Sequence, residues 1–336
     1  MRKIIVTGGN GFIGTNLIIE LLKNKENKII NIDKLSYCSN SYLIKNKFKN
    51  LKNLNINLLS FAKIKKKILN FKPDIIYHLA AQTHVDTSIH EPFLYYQNNV
   101  LGTLNLLTII QQIKHILTKK FRFIYVGTDE IYGDLAFSSK KTFDENQPLA
   151  PNNPYSASKA ASVLMVKAWY KNFGLRSIIT NSVNNFGIFQ YVEKFIPRSI
   201  LLAEKFRLIE IYGKGKNVRS WISAKEHARA LIFLSNNGII GQSYNIASNY
   251  KLKNINLAKK IIKILKIKDI NVKIKFVRDR MGHDKKYSIN SNKLKKLGWK
   301  ANLNFDHELK NIVEWYLKKD NLKYFKNVNQ NLNRKG

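Results

Sequence analysis

The stretch that decides the fold is Gly8-Gly-Asn-Gly-Phe-Ile-Gly14, which follows the short apolar run Lys3–Thr7. Counted from Gly9, the glycines have the spacing G-x-G-x-x-G, and counted from Gly8 they read G-x-x-G-x-x-G. A predicted strand precedes this stretch, and a helical pattern over Gly11–Lys23 follows it. In that context the glycines let the backbone approach a pyrophosphate, and the N-terminus of the helix supplies unpaired N–H groups. The stretch therefore predicts the phosphate-binding turn of a dinucleotide site.

The second feature of this predicted site is Asp33, which lies at the end of the next apolar run, Lys28–Asp33. A carboxylate at this place accepts hydrogen bonds from an adenosine ribose and repels a 2′-phosphate. We therefore expect NAD rather than NADP, although the neighbouring Lys34 weakens the exclusion of NADP. The alternative is a tight turn that carries an ordinary surface aspartate.

The order of elements predicts the fold class. Short apolar runs alternate with helical patterns, which favours an α/β fold: a doubly wound, Rossmann-type parallel sheet with a smaller α/β substrate-binding domain. The predicted strands are Lys3–Thr7, Lys28–Asp33, Leu54–Leu59, Asp74–Ala80, Phe121–Thr128 and Arg176–Val183. The predicted helices between them are Gly11–Lys23, Phe61–Asn70, Asn99–Leu117 and Tyr155–Phe173.

Three parts of the chain are expected. Residues 1–185 form the NAD-binding domain, and residues 186–320 mainly form the substrate domain, with the chain crossing back to the first domain in places. Residues 321–336, rich in Lys and Asn, are expected to be a loose tail.

Composition narrows the function classes without deciding among them. The 336 residues carry 58 Lys and Arg against 22 Asp and Glu, a formal net charge of +36. Only ten of the basic side chains are arginine, whereas recognition of phosphates and bases favours Arg for its fork geometry. A residue-usage bias explains the charge best, and a basic nucleic-acid-binding protein on a dinucleotide fold stays as the non-enzyme alternative.

The single cysteine, Cys38, excludes an internal disulfide framework and fits a reducing, cytoplasmic location. No apolar run is long enough to span a membrane, so we expect no membrane partner. The histidines show no ligand spacing, and we expect no metal.

Two short motifs carry candidate chemistry. Tyr155 and Lys159 are four residues apart on a predicted helix, so both lie on one face. An ammonium group about 4 Å from a phenolate interacts with it by about 4 kcal/mol at an effective dielectric near 20, which predicts a lowered pKa for Tyr155.

The second motif, Thr128-Asp-Glu130, follows a predicted strand, and two adjacent carboxyl groups suit an elimination that needs both a base and an acid. The alternative is a solvated pair of acids on a loop.

On these motifs the chain resembles the extended short-chain dehydrogenase/reductase family, and within it the dehydratases of nucleotide sugars. The resemblance extends from residue 1 to about 318, and Thr128-Asp-Glu130 is its most specific part, because related epimerases usually lack the acid pair. Its other carriers are GGNGFIG at 8–14, DKLSYCSN at 33–40, AAQTHVD at 80–86, NPYSASKAAS at 153–162, NSVNNFG at 181–187, EKFIP at 193–197, IYGKGKNVRSW at 211–221 and DRMGHDKKYSI at 279–289.

The resemblance implies a reaction and a role for each matching residue. A lyase of this kind oxidises C4 of dTDP-glucose with NAD, eliminates water across C5 and C6 and returns the hydride to C6. Tyr155 would take the proton of the 4-hydroxyl group, Glu130 the C5 proton, and Asp129 would protonate the leaving hydroxyl. Thr128 would bond the C4 oxygen, and Lys159 would bind the nicotinamide ribose. A UDP-glucose 4,6-dehydratase or a nucleotide-sugar 4-epimerase is the enzyme alternative.

The resemblance also implies binding residues and a homodimer. The expected cofactor residues are Gly8, Gly11, Phe12, Ile13, Gly14, Asp33, Lys34, Leu35, Ser36, Ala80, Ala81, His84, Tyr155, Lys159 and Asn185. The expected substrate residues are Thr83, Thr128, Asn184, Lys194, Phe195, Tyr212, Arg219, Asn254, Arg280 and His283.

Several positions depart from the family pattern without removing a catalytic group. Gly127 stands where a serine is usual before the acid pair, and Gln82 where a glutamate is common. Ser220 replaces an aspartate after Arg219, so the support around that arginine is expected to differ. The Gly-Asp-Ile stretch that reaches the adenine is absent, and Leu58–Phe61 occupies its region.

Overall fold

A computed structural model describes residues 1–279 and 284–333 of the chain. Its strands are β1 Lys3–Thr7, β2 Lys28–Asp33, β3 Leu51–Asn55, β4 Ile75–His78, β5 Arg122–Thr128, β6 Ser177–Ser182, β7 Asn184–Phe186, β8 Leu208–Tyr212, β9 Val218–Ser223, β10 Ser243–Ile246, β11 Tyr250–Lys253 and β12 Lys273–Val277. Its α-helices are α1 Phe12–Leu22, α2 Tyr42–Lys45, α3 Phe61–Phe71, α4 Val85–His90, α5 Pro92–Tyr95, α6 Gly102–Gln112, α7 Pro154–Phe173, α8 Phe195–Phe206, α9 Ala224–Asn237, α10 Asn254–Lys266, α11 Asn292–Lys296, α12 Phe305–Leu317, α13 Lys319–Leu322 and α14 Val328–Asn333.

The main sheet has seven strands in the described part of the chain, in the order β10-β6-β5-β4-β1-β2-β3. Every neighbouring pair in it is parallel. Ile4, Ile5 and Val6 of β1 are at most 1% exposed, because helices cover both faces of the sheet. The carboxyl ends of β1, β4 and β5 therefore meet at one edge, where a doubly wound sheet binds its ligands. The predicted fold class is confirmed.

A second hydrophobic core lies beyond this sheet. It is formed by α8, α10, α12 and the strands β8 and β9, with side chains such as Ile200, Ile209, Leu257 and Leu309 fully buried. Two small sheets belong to this region, one of the strands β11, β9 and β7 and one of β12 and β8. The division of the chain at residue 185 remains our proposal.

The structure differs from the predicted elements in three places. The strand expected at Leu54–Leu59 lies earlier, at β3, and the strand β10 was not expected, because Ser243-Tyr-Asn-Ile246 is only four residues long. The helix expected at Asn99–Leu117 is interrupted. A π-helical turn over Tyr96–Leu101 precedes α6, and the buried Asn99 side chain within it donates to Ser158 Oγ at 2.8 Å.

The expectation of a loose C-terminal tail is wrong for the described residues. Helix α14 forms there, and Phe325 and Leu332 are 7% and 5% exposed within the second core. Their burial gives this segment a fixed place, in spite of its polar composition.

Candidate active site

A cavity of about 1120 Å³ opens at the carboxyl edge of the main sheet and extends between the two cores. It is lined by most residues that the sequence marked: Gly8, Gly11, Phe12, Ile13, Gly14, Asp33, Lys34, Ser36, Ala80, Ala81, Thr83, His84, Thr128, Glu130, Tyr155, Lys159, Asn184, Asn185, Lys194, Phe195, Tyr212, Arg219 and Asn254. Leu35 and Asp129 lie outside this lining. Arg280 and His283 fall outside the described residues.

The glycine turn is shaped by close backbone contacts. Gly8 has φ +74°, and a Cβ there would lie 2.7 Å from the backbone of Ala80, which follows β4. A Cβ at Gly14 would clash with the carbonyl oxygen of Gly8, so α1 packs directly on the turn. At Gly11 a Cβ would meet only that carbonyl, at 3.2 Å, which leaves the space in front of α1 open. These contacts fit a turn that receives a pyrophosphate.

Asp33 is held by backbone donors at the end of β2. Its carboxyl group accepts hydrogen bonds from the N–H groups of Asn10 at 2.9 Å and Leu35 at 2.8 Å. Burial raises the pKa of Asp33, and these two hydrogen bonds oppose the rise. Lys34 donates from Nζ to Asn98 Oδ1 at 2.6 Å. Leu35 therefore serves the site through its backbone, which explains why its side chain lies outside the cavity.

Tyr155 and Lys159 begin helix α7, whose start is fixed by Asn153 through a capping box with Ser156. Lys159 donates from Nζ to the carbonyl of Val126 at 2.8 Å, and burial lowers the pKa of Lys159 to about 7. Burial and the neighbouring Glu130 raise the pKa of Tyr155 well above its usual value. We expected Lys159 to lower the pKa of Tyr155, but the protein's own groups do not have this effect. The desolvation of Tyr155 outweighs the charge of Lys159, and the lowered pKa of Lys159 weakens that charge.

The acid pair lies at the end of β5, where the chain turns into a short 3₁₀ helix, Asp129–Tyr132. Asp129 is buried, and Thr128 Oγ1 lies 3.4 Å from its Oδ1. Its Oδ2 has no hydrogen-bond partner among the described residues. Burial, followed by the charge of Glu130, raises the pKa of Asp129 to about 8. This carboxyl group holds a proton at neutral pH.

Glu130 has a different set of neighbours. The hydroxyl oxygen of Tyr287 lies 3.4 Å from Glu130 Oε2. Burial raises the pKa of Glu130, and the charge of Arg219 lowers it. Arg219 also lies over the Tyr287 ring, 4.6 Å from its centroid. The charge of Arg219 lowers the pKa of Asp129 as well, so the two acids differ in the contact that Glu130 makes with the Tyr287 hydroxyl rather than in the charge that they feel.

The guanidinium of Arg219 is held by the backbone. It donates to the carbonyl oxygens of Val218 at 3.0 Å, Asp284 at 2.9 Å and Lys285 at 3.4 Å. Ser220, which stands where an acid was expected, has a buried Oγ without a partner among the described residues. Backbone carbonyl groups therefore hold this arginine in position, and the comparison of its support with that in relatives stays a prediction.

Tyr287 and Asp284 are site residues that the sequence reasoning missed as functional. Tyr287 also donates to Asp284 Oδ2, and Asn152 donates to the other oxygen of that carboxyl group at 2.9 Å. Both residues belong to the stretch at 279–289 that carried the resemblance, and that stretch was the only signal pointing to them.

Other predicted residues have clear partners. Lys194 lies 3.7 Å from the carboxylate of Glu193 and donates to the carbonyl of Thr83 at 3.2 Å. The side-chain oxygen of Asn185 lies 2.9 Å from His227 Nδ1. Gly127, which replaces a serine, leaves room for Asn181, whose Oδ1 would clash with any Cβ there.

Two further findings concern residues outside the chemistry. His78 is a buried core histidine that contacts Thr7 Oγ1 at 2.7 Å and Thr103 Oγ1 at 2.9 Å. Burial lowers the pKa of His78 to about 3. Within residues 1–279 and 284–333, no cluster of three or more His, Cys, Asp or Glu side chains is arranged to hold a metal, and no helix is long and apolar enough to cross a membrane.

Comparison with known proteins gives consistent matches over nearly the whole chain. The family model described as GDP-mannose 4,6 dehydratase matches residues 5–312. The dTDP-glucose 4,6-dehydratase of Haemophilus influenzae is 38% identical over 333 residues, which is 94% of this chain and 98% of that protein. The structure of the Bacillus anthracis dTDP-glucose 4,6-dehydratase in complex with NAD has a TM-score of 0.86, with 32% identity, 98% of this chain covered and 100% of that chain. The Streptomyces venezuelae dTDP-glucose 4,6-dehydratase, solved with NAD bound, has a TM-score of 0.89, with 30% identity over 97% of this chain and 99% of that chain.

Proposed function

This chain belongs to the GDP-mannose 4,6 dehydratase family and, within it, to the dTDP-glucose 4,6-dehydratases, and on that premise we propose that it converts dTDP-glucose to dTDP-4-keto-6-deoxyglucose and water. The observation that carries the proposal is the acid pair. Asp129 is buried behind the cavity lining with a pKa raised to about 8, and Glu130 lines the cavity together with Tyr155 and Lys159. Simple oxidation and reduction of a sugar does not require such a pair.

Oxidation at C4 is assigned to Thr128, Tyr155 and Lys159. The glycine turn, Asp33 and Lys159 would hold NAD, which when bound would supply the acceptor for the C4 hydride and its donor to C6, so that no cofactor is consumed in the net reaction. Tyr155 removes the proton of the 4-hydroxyl group, and the Thr128 hydroxyl bonds the oxygen that becomes the ketone. Lys159, whose Nζ already donates to the Val126 carbonyl, binds the nicotinamide ribose. The Tyr155 pKa is raised by burial, so ionisation of its phenol depends on the positive charge of the oxidised cofactor.

Elimination across C5 and C6 is assigned to the acid pair. The C5–H proton passes to Glu130, the C5–C6 double bond forms and the C6–O bond breaks. Asp129 gives its proton to the departing hydroxyl, which leaves as water. Glu130 returns its proton to C5 when the hydride reaches C6, and the proton that Tyr155 took from the 4-hydroxyl group balances the one that Asp129 gave. The pKa of about 8 for Asp129 supports its role as the acid. Glu130 is assigned the role of the base because it lines the cavity, and the charge of Arg219 opposes the rise that burial causes in its pKa.

The remaining substrate residues are assigned to the nucleoside diphosphate. Lys194, Arg219 and Asn254 line the cavity, and Lys194 and Arg219 would bring two positive charges to the diphosphate. Tyr212 lines the same cavity, and we assign it to the base. UDP-glucose dehydration is less favoured, because the relatives are named dTDP-glucose 4,6-dehydratases. 4-Epimerisation is less favoured, because an epimerase does not use the acid pair.

We also propose that the enzyme is a cytoplasmic homodimer. Phe93, Tyr96, Leu101 and Leu164 are 72%, 41%, 46% and 56% exposed, and they belong to neighbouring helical segments. A monomer rarely exposes so many large apolar side chains in one region. The helix α7 and the segment before α6 therefore suit a helical interface between two copies.

The test is direct. The purified protein is incubated with dTDP-glucose and, in a separate reaction, with UDP-glucose, and the products are followed by mass spectrometry. We expect dTDP-glucose to lose one water without net accumulation of NADH. If neither sugar loses water, the assignment is wrong, and faster dehydration of UDP-glucose would favour the alternative substrate.

A further inference from the structure

The loop between β2 and α2 starts from the glycine turn, returns to it and in between reaches the segment before α8. Both ends of the loop are bonded to Asn10 of the turn. The backbone N of Asn10 donates to Asp33 at 2.9 Å, and the backbone N of Asn40 donates to the carbonyl of Asn10 at 2.8 Å. Between these anchors the Tyr37 hydroxyl donates to the carboxylate of Glu193, whose two oxygens lie 3.2 and 3.0 Å away. Both of these side chains line the cavity.

A second set of contacts brings the segment that carries Glu193 back to helix α1. Asn16 of α1 donates from Nδ2 to the carbonyl of Ile188 at 3.2 Å. A Cβ at Gly187 would lie 3.2 Å from the ring of Phe12, so this segment passes close to the first turn of the helix. The turn, the loop, the segment and α1 thus form a closed ring of contacts, and the start of α1 lines the cavity within it.

The contact between Tyr37 and Glu193 differs from the other hydrogen bonds of this ring. The bonds at Asn10 and Ile188 go to backbone carbonyl groups, whereas Tyr37 and Glu193 meet through their side chains. Tyr37 is 38% exposed, and the Glu193 side chain is 15% exposed. Rotation of one tyrosine side chain into water therefore opens the ring without movement of the backbone.

The surroundings of this contact favour its closed form. The Tyr37 ring packs edge-on against Tyr191, with centroids 5.5 Å apart, and Lys194 Nζ lies 3.7 Å from the carboxylate of Glu193. Burial, followed by the charge of Glu193, raises the pKa of Tyr37. The hydroxyl therefore keeps its proton and donates it to the carboxylate, which gives a charge-assisted hydrogen bond.

We propose that Tyr37 is a positioning residue that acts through Glu193: their contact closes the ring around bound NAD and slows its dissociation. The inference rests on the proposed function, in which one cofactor molecule serves two hydride transfers on the same sugar. Loss of the reduced cofactor between the two transfers would leave the oxidised sugar without the hydride that completes the reaction. A pyrophosphate at the N-terminus of α1 lies at the wall of this ring, so the closing contact is placed to retain it.

The experiment measures the dissociation of NADH in the absence of sugar. Protein loaded with NADH is mixed with excess NAD, and the nicotinamide fluorescence is followed by stopped flow. Tyr37→Phe keeps the ring and removes the hydroxyl, so we expect dissociation to become about 3- to 30-fold faster, the value of one hydrogen bond to a charged group that is partly open to water. Tyr42→Phe is the matched control, since Tyr42 packs on Phe189 at 4.6 Å and lies outside the cavity lining. We expect the wild-type rate for this control.

A double variant tests whether Tyr37 acts through Glu193 or touches the cofactor itself. Glu193→Ala is expected to speed dissociation by a similar factor, and Tyr37→Phe should add nothing in that background. With dTDP-glucose present, Tyr37→Phe should release free NADH during turnover, whereas the wild type should not. A wild-type dissociation rate in Tyr37→Phe overturns the proposal, as do additive effects in the double variant. Failure of the proposed function is distinct, because the wild type then yields no dehydrated sugar while the dissociation rates, measured without sugar, still test the contact.

Discussion

At the scale of single residues, burial divides the chemistry between two neighbouring acids. Asp129 and Glu130 are adjacent in the chain and both feel the charge of Arg219, yet the Tyr287 hydroxyl lies against Glu130, whereas Asp129 Oδ2 has no partner among the described residues. Desolvation favours the neutral form of any buried carboxyl group, and a nearby cation favours the ionised form. The sequence predicted the pair and its roles, but Arg219 and Tyr287 are far away in the chain, so their influence was not predictable from it.

The division of roles predicts what isosteric variants do. In Asp129→Asn we expect elimination to slow by about 10²- to 10⁴-fold, because the leaving hydroxyl loses its proton donor. Oxidation at C4 does not use this carboxyl group, so reduced nicotinamide should build up on the enzyme, as measured by stopped-flow absorbance. Glu130→Gln should give the same build-up. If both variants lose C4 oxidation as fully as elimination, the proposed roles are wrong.

The raised pKa of Asp129 also predicts how stability depends on pH. The pKa rises from 3.8 in the unfolded chain to about 8 in the folded protein, mainly through burial. Between these values the folded protein keeps a proton that the unfolded chain has lost, so this group makes the free energy of unfolding fall as pH rises. The amide introduced by Asp129→Asn does not titrate. The Tm of this variant minus that of the wild type should therefore grow from pH 5 to pH 8, and a constant difference would contradict the pKa.

At the scale of elements, apolar runs predicted the buried strands well, and tertiary contacts decided the rest. The apolar run Ile4–Val6 is buried on both sides, which is possible for a strand only in the interior of a sheet that is covered on both faces. Ser243–Ile246 becomes a strand because β6 offers it a parallel partner, with Ser243 opposite Ile179. The π-helical turn at Tyr96–Leu101 contains the buried Asn99, and the periodicity of the sequence does not reveal that this side chain is buried.

The helical interface is predicted to depend on the exposed face of α7. Leu164 is 56% exposed, and Leu164→Asp should shift the protein from dimer to monomer, since a charge buried in an apolar interface has no partner. Light scattering after size-exclusion chromatography measures the mass. Ile267→Asp is the matched control, because Ile267 is 75% exposed at the end of α10, away from these helices. Equal behaviour of the two variants would argue against this interface.

At the scale of the whole molecule, residue patterns predicted one wall of the cavity, and only the family resemblance pointed to residues of the other. The glycine turn, Asp33, Thr128 and Tyr155 lie at the carboxyl edge of one sheet, and their order along the chain indicated this. Tyr287 and Gln330 reach the same cavity because the chain returns to it from the second core. Such returns depend on long-range packing, of which the buried Phe325 is an example, and no local pattern marks them.

The formal net charge of +36 is a property of the whole molecule, and a series of salt concentrations tests its role. Among the basic residues, Lys159, Lys194 and Arg219 line the cavity at its proposed cofactor and diphosphate positions. If the remaining charge is background, raising salt from about 50 to 200 mM should weaken double-stranded DNA binding by about 10³-fold or more. Over the same range kcat should stay constant, because the reacting groups are buried, and KM for dTDP-glucose should rise only a few fold. Fluorescence anisotropy and steady-state kinetics in the same buffers measure both, and sequence-dependent DNA binding that persists at the higher salt would contradict this interpretation of the charge.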